Sequence, residues 1–182
     1  MYAPHFAAAL AIKSTVPRAP LAALLAGAFL PDMLWIALAR IGVEPAQPSA
    51  FFDDWSHSLM SVLALATVFG LLFSRGRRAV FLAVWLAVAS HFLLDFPVHP
   101  KTLALYPLSK IHVGWDLLPW GSSGGWFGVT NYWWLQLFVL LFLLVLYVNG
   151  MRRAHVPLNV IVASCVLVAA AQLLMLSACI SY

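Results

Sequence analysis

The sequence predicts an all-α, polytopic membrane bundle, and three observations predict it. The 182 residues are 64% hydrophobic and only 9% charged, where a soluble domain carries about 25% charge. The apolar residues gather in five stretches, each near the ~20 residues a helix needs to cross a bilayer. The basic residues fall in short clusters between those stretches, which is how membrane topology is written into a sequence. That clustering also argues against nucleic-acid binding, despite a formal charge of +4.

The first element is Pro4–Ile12 (PHFAAALAI), helical in composition but too short to span. It is expected to pack as a half-length or re-entrant helix. Five spans follow, at about Pro20–Ile41, Ser58–Ser74, Ala79–Val98, Tyr132–Val148 and Pro157–Ile180, the second of them short. Lys101–Thr130 is rich in Pro, Gly and Trp and reads as a structured outer loop. Its Trp residues, with Tyr132, Trp133 and Trp134, suit the membrane interface. Residues 1–182 are thus expected to form one integral membrane domain: a motif-bearing part over 1–100, an outer loop over 101–130 and two further spans over 131–182.

Lys13 and Arg18 precede an apolar stretch, and Ala37-Leu38-Ala39 resembles a signal-peptidase site. Cleavage there would discard His5 and Asp32, and the segment is expected to be retained. Cys165 and Cys179 lie in the last stretch, about 21 Å apart along a helix, too far for a disulfide, and read as packing residues. With Lys13 and Arg18 on the cytoplasmic side, five spans bring Arg75, Arg77, Arg78, Arg152 and Arg153 to the same side. That is seven of the ten basic residues, with Arg40, Lys101 and Lys110 outside, in agreement with the positive-inside rule.

The residues that cost most in a membrane then fall together. An ionisable side chain in hydrocarbon costs about 2.5–3.5 kcal/mol on insertion scales and is normally retained for a task. All six acidic residues fall outside or in the outer half of the spans. His91 and Asp95, four apart on one helix, project from one face and can supply two ligands to a single ion. Asp32 follows Pro31, which removes a backbone donor and kinks the first span about 18 Å from its cytoplasmic end. His57 opens the second span, and His99 follows the Pro97 turn. Asp53 and Asp54 are expected to cap the second span, to orient His57, and to include the carboxylate that accepts a proton. His5 lies on the short first helix. Four separate stretches deliver His and Asp, the ligand types of a zinc-type site, to one depth.

Several alternatives stand beside this reading. His91 with Asp95 could be a hydrogen-bonded pair joining two helices, and Asp32 a cap at a helix break. His112 and Asp116, four apart, read as a solvated loop pair or as ligands of a second ion. His155 belongs with the basic topology signal. Gly121-Ser122-Ser123-Gly124-Gly125 matches the nucleophile-elbow pattern without its strand-to-helix setting and reads as a loop. There is neither a His-Glu-x-x-His motif nor a P-loop.

An N-terminal His on a small-residue helix, Leu30-Pro31-Asp32, Trp55-Ser56-His57-Ser58 and Ser90-His91-Phe92-Leu93-Leu94-Asp95 occur in that order. The arrangement resembles the membrane-bound metal-dependent hydrolases, also described as LexA-binding inner-membrane hydrolases, over about residues 1–100. It is more distantly similar to the zinc-dependent phospholipase C and single-strand nuclease superfamily. That resemblance implies a first metal site of Asp32, His57, His91 and Asp95. It further implies that Asp95 bridges to an ion held by His5 and that His99 serves another. The superfamily's N-terminal amine ligand is not evident here, and its outer-loop Glu has Asp116 as nearest substitute.

The expectation is a metal-dependent hydrolase in a bacterial cytoplasmic (inner) membrane, its site facing outward. Zn2+ is the expected ion, with Mn2+ or Fe2+ as alternatives, and a phosphoester or other ester, lipid-like from the depth of the site, is the expected substrate. The competing readings are a metal-binding transporter or sensor, and a purely structural bundle with buried His–Asp pairs.

Overall fold

The computed structural model describes residues 2–44, 54–97, 103–115 and 125–180. The elements are α1 (Tyr2–Thr15), α2 (Leu21–Ala28), α3 (Leu30–Arg40), α4 (Asp54–His57), α5 (Leu59–Ser74) and α6 (Arg78–Asp95). Two-residue strands β1 (Leu103–Ala104) and β2 (His112–Val113) follow, and then α7 (Gly125–Arg153) and α8 (Leu158–Ile180). The all-α class holds. The strands pair antiparallel, Leu103 with Val113 and Ala104 with His112, inside the expected outer loop. That loop ends earlier than expected, because α7 already begins at Gly125.

The short first helix is the centre of the bundle. Its alanines are small enough to let neighbours approach from two sides. Ala3, Ala7 and Leu10 pack with Leu140, Tyr147 and Met151 of α7 and Ile161 and Val168 of α8. Ala9 and Ile12 pack instead with Ala23 and Leu24 of α2 and Val80, Ala83, Val84 and Ala87 of α6. On α6 the buried positions Val80, Val84, Ala87, His91 and Asp95 recur every three to four residues, so one buried stripe runs into the polar end. α5 closes on α6 through Gly70, where an added Cβ would lie 3.0 Å from the Phe81 ring.

Polarity along the bundle follows from these contacts. Ser14, near the end of α1, meets Gly150 near the end of α7. Lys13 therefore lies at the same end as Arg152 and Arg153, and Ile12 packs against the cluster that holds Val80 and Ala83 in the first turns of α6, next to Arg75, Arg77 and Arg78. His5, His91 and Asp95 occupy the other end.

Two helical segments are long and apolar enough to cross a membrane, Arg78–Asp95 and Gln136–Arg153. α2 and α3, bent by 50° at Phe29, would make a third if taken as one span. The expected count of five is not reached by length and composition among the described residues. α5 has 16 residues, because Arg75 (φ 45°) and Gly76 (φ 74°) turn the chain there. The part of α8 whose side chains are described, Leu158–Ala170, is also short.

Candidate metal centre

The site forms where the break in the first apolar stretch meets the polar end of α6. α2 stops at Ala28, and Pro31, at the start of α3, has no N–H to continue the ladder. The last carbonyls of a helix have no intrahelical donor, and His91 on α6 uses one of them. Its Nδ1 lies 2.8 Å from the Ala28 carbonyl oxygen. A carbonyl only accepts, so Nδ1 carries the hydrogen and Nε2 is turned inward. The same break places Asp32 in the first turn of α3.

α4 is a single turn that supplies His57, and a carboxylate distant in sequence fixes it. The Glu44 Oε1 accepts from the backbone N–H groups of Trp55, at 2.7 Å, and Ser56, at 2.8 Å. Ser56 Oγ then lies 2.7 Å from His57 Nδ1, which leaves His57 Nε2 facing inward as well. Ser58, not Asp53 or Asp54, caps α5, its Oγ accepting from the Ser61 N–H at 3.3 Å. The expected cap by the acidic pair is thus corrected: Asp54 opens α4 instead, and Asp53 lies outside the described residues.

His91 Nε2 is the hub. It lies 3.2 Å from Asp95 Oδ2, 3.3 Å from His57 Nε2 and 3.7 Å from Asp32 Oδ1. His57 Nε2 is itself 3.4 Å from Asp32 Oδ1. On the far side, His5 stacks on the His91 ring, centroids 4.0 Å apart and planes within 10°. Its Nε2 is 3.3 Å from Asp95 Oδ1, so the two oxygens of Asp95 serve two different imidazoles. His5, His91 and Asp95 are all buried, at 0, 1 and 2% exposure.

Two overlapping sets therefore bring one ligand atom per residue within 4.8 Å of each other: His5, His91 and Asp95, and Asp32, His57 and His91. The donor set fits a metal ion on an observation of its own. With its Nδ1 hydrogen given to the Ala28 carbonyl, neutral His91 turns an Nε2 lone pair toward the carboxylates of Asp95 and Asp32. That convergence of electron pairs is repulsive unless a cation or a proton lies among them. His5 Nδ1 is also buried without a hydrogen bond, which is costly for a polar atom that binds nothing. Since His91 Nδ1 is taken by the Ala28 carbonyl, His91 can give its Nε2 to one ion only.

Of the expected site residues, His5, Asp32, His57, His91 and Asp95 come together, and His99 lies outside the described residues. The expected pairing of His112 with Asp116 rests on a residue outside those described. His112 Nε2 lies 3.4 Å from Asp54 Oδ1, so the hairpin reaches back to α4. Cys165 is a half-buried free thiol packed in the α1–α7–α8 cluster, and the Cys179 side chain lies outside the described residues. Sequence reasoning missed Glu44, Ser56 and the Ala28 carbonyl. Comparison with known protein families, with curated proteins and with solved structures gives no match.

Proposed function

We propose that this chain is a metal-dependent hydrolase embedded in a bacterial cytoplasmic membrane, with its centre at the outer end of the bundle. The single observation that carries the reading is the gathering of three imidazoles and two carboxylates, from four helices, in two overlapping groups that share His91. The loose arrangement of spans, completed to five by α2–α3, α5 and α8, and the cytoplasmic placement of Lys13 and Arg18 belong to the same proposal, supported by the clustering of basic residues at the opposite end.

Asp32, His57, His91 and Asp95 would hold the ion, with His5 beside Asp95. Nitrogen and carboxylate donors in this mixture suit Zn2+, with Mn2+ and Fe2+ as the alternatives. The ion would supply Lewis acidity and a water whose pKa is lowered toward about 7. The protein's own contribution is orientation. The Ala28 carbonyl fixes the His91 tautomer, Ser56 Oγ holds the His57 ring through its Nδ1, and Glu44 fixes the turn that carries His57. Asp54, paired with His112, is the described carboxylate placed to take a proton near His57. The substrate class is a phosphoester or other ester, and the depth of the site favours a lipid-like one.

Hydrolysis is preferred to transport for a structural reason. Below the site, toward the basic end, the interior is the apolar cluster of Ala9, Ala23, Leu24, Val80, Ala83, Val84 and Ala87. Among the described residues it contains no ligand to pass an ion onward, and a transport path requires a succession of them. The test is a pair of assays on purified protein. Fluorogenic phosphomonoester and phosphodiester lipids should be cleaved with Zn2+ or Mn2+, and cleavage should vanish with chelator and in His91→Ala. Zn2+ flux into proteoliposomes without ester cleavage would replace the hydrolase with a transporter.

A further inference from the structure

We propose that the β1–β2 hairpin is a lipid-binding element, its outward row set into the headgroup–acyl boundary of the leaflet at the site end. The proposal rests on the membrane reading above and extends the interfacial placement of Trp115 to Tyr106, Leu108 and Ile111 of the hairpin. The hairpin is two-faced. Leu103, Ala104 and Ser109 are buried at 3, 1 and 4% exposure, whereas Tyr106, Leu108, Ile111 and Trp115 stand out at 50, 74, 57 and 64%. Four large apolar side chains in so short a connection form a patch that a water-facing loop would not keep.

The backbone holds that patch deliberately. Leu108 has φ of 62°, in the left-handed region that L-residues avoid and that a glycine would occupy without strain. The tip is also preorganised. Ser109 N–H donates to the Tyr106 carbonyl at 3.0 Å, and Ser109 Oγ both donates to the Ile111 carbonyl and accepts from its N–H, each at 3.0 Å.

Position selects lipid over a second copy of the chain. The hairpin is strapped to the ends of two membrane-facing helices: Met60 N–H donates to the Leu105 carbonyl and Trp115 N–H to the Phe96 carbonyl, both at 3.0 Å. At that same end Met60 of α5 and Leu93 of α6 are exposed at 59 and 66%, so the hairpin row continues the apolar surface of the helices. Its chemistry is that of an interface: an aromatic at either side, aliphatics between, and exposed Lys110 able to reach phosphate. The hairpin also carries His112, whose Nε2 lies 3.4 Å from Asp54 Oδ1 in α4, the turn that supplies His57.

The experiment uses the full chain in phosphatidylethanolamine–phosphatidylglycerol nanodiscs, with Cys165 and Cys179 replaced by alanine. A polarity-sensitive fluorophore is attached through Leu108→Cys, and in parallel through Val68→Cys on the exposed middle of α5. The Leu108 probe should show blue-shifted emission and lose about half or more of it to lipid with a nitroxide near the headgroup, as expected at interfacial depth. The Val68 probe should respond to a nitroxide deep in the acyl chain. Lipid-like Val68 with a Leu108 probe quenched only from water overturns the hairpin proposal alone. So does a Leu108 probe shielded from both quenchers, which means protein covers it. A Val68 probe that is itself quenched from water overturns the membrane reading, and this proposal with it.

Discussion

Gly150→Ala is the sharpest perturbation of the packing that holds His5 in the site. α1 and α7 cross at Ser14 and Gly150, where a Cβ added to the glycine would fall 2.5 Å from Ser14 Cβ and 3.3 Å from its carbonyl oxygen. Non-bonded carbons rest about 3.5–4.0 Å apart, so the two helices must separate by about 1 Å or more. Ser14 cannot swing clear, because its Cβ moves only with the backbone. Overpacking of this kind costs about 1–3 kcal/mol. At about 2–4 °C per kcal/mol for a chain of 150–250 residues, thermal unfolding of detergent-solubilised protein, followed by tryptophan emission, should fall by about 2–12 °C. Ser14→Gly removes the obstructing Cβ at a propensity cost of about 0.5 kcal/mol. The double variant should therefore be more stable than the two single losses predict, with coupling of about 1 kcal/mol or more. Unchanged unfolding in Gly150→Ala, or strict additivity in the double variant, would refute the crossing as described.

Further predictions concern the shell around the imidazoles. Ser56→Ala removes the partner of His57 Nδ1 and should weaken metal binding by about 10–100-fold in a chelator competition, since partners of ligating imidazoles have that effect. Glu44→Ala strips α4 of the acceptor of two N–H groups and should cost about 1.5–3 kcal/mol of stability, as for hydrogen bonds to a charged group. Glu44→Gln keeps one acceptor oxygen and should recover part of that loss in the same unfolding assay. Asp54→Asn should leave metal content unchanged while lowering ester turnover by about 10²-fold or more, the scale of general acid–base catalysis; equal loss of metal would make Asp54 a ligand instead.

The sequence made part of the His–Asp cluster legible, because three of its residues carry a spacing or breaker signal. The i, i+4 placement of His91 and Asp95 put them on the buried stripe of α6, and Pro31 marked the break that frees Asp32. The alanine-rich first segment is indeed a half-length helix, and small residues explain its central place. What stayed hidden depends on contacts distant along the chain. Glu44 serves backbone N–H groups eleven and twelve residues on. His112 meets Asp54 only because the hairpin folds back over α4. The Ala28 carbonyl is a backbone group and has no residue-type signature at all. The span count also eluded composition, since hydropathy adds up apolar residues without seeing where Phe29 or Arg75 turns the backbone.

The central claim is that the buried His–Asp cluster holds a metal ion, and metal content of detergent-purified protein tests it most directly. Mass spectrometry of the unaltered chain should find one or more Zn2+ (or Mn2+ or Fe2+) per chain, and His91→Ala and Asp95→Ala should lose it. A folded protein that is metal-free, and stays so after incubation with Zn2+ or Mn2+, would contradict the account and leave His5, Asp32, His57, His91 and Asp95 as a structural network of buried polar groups.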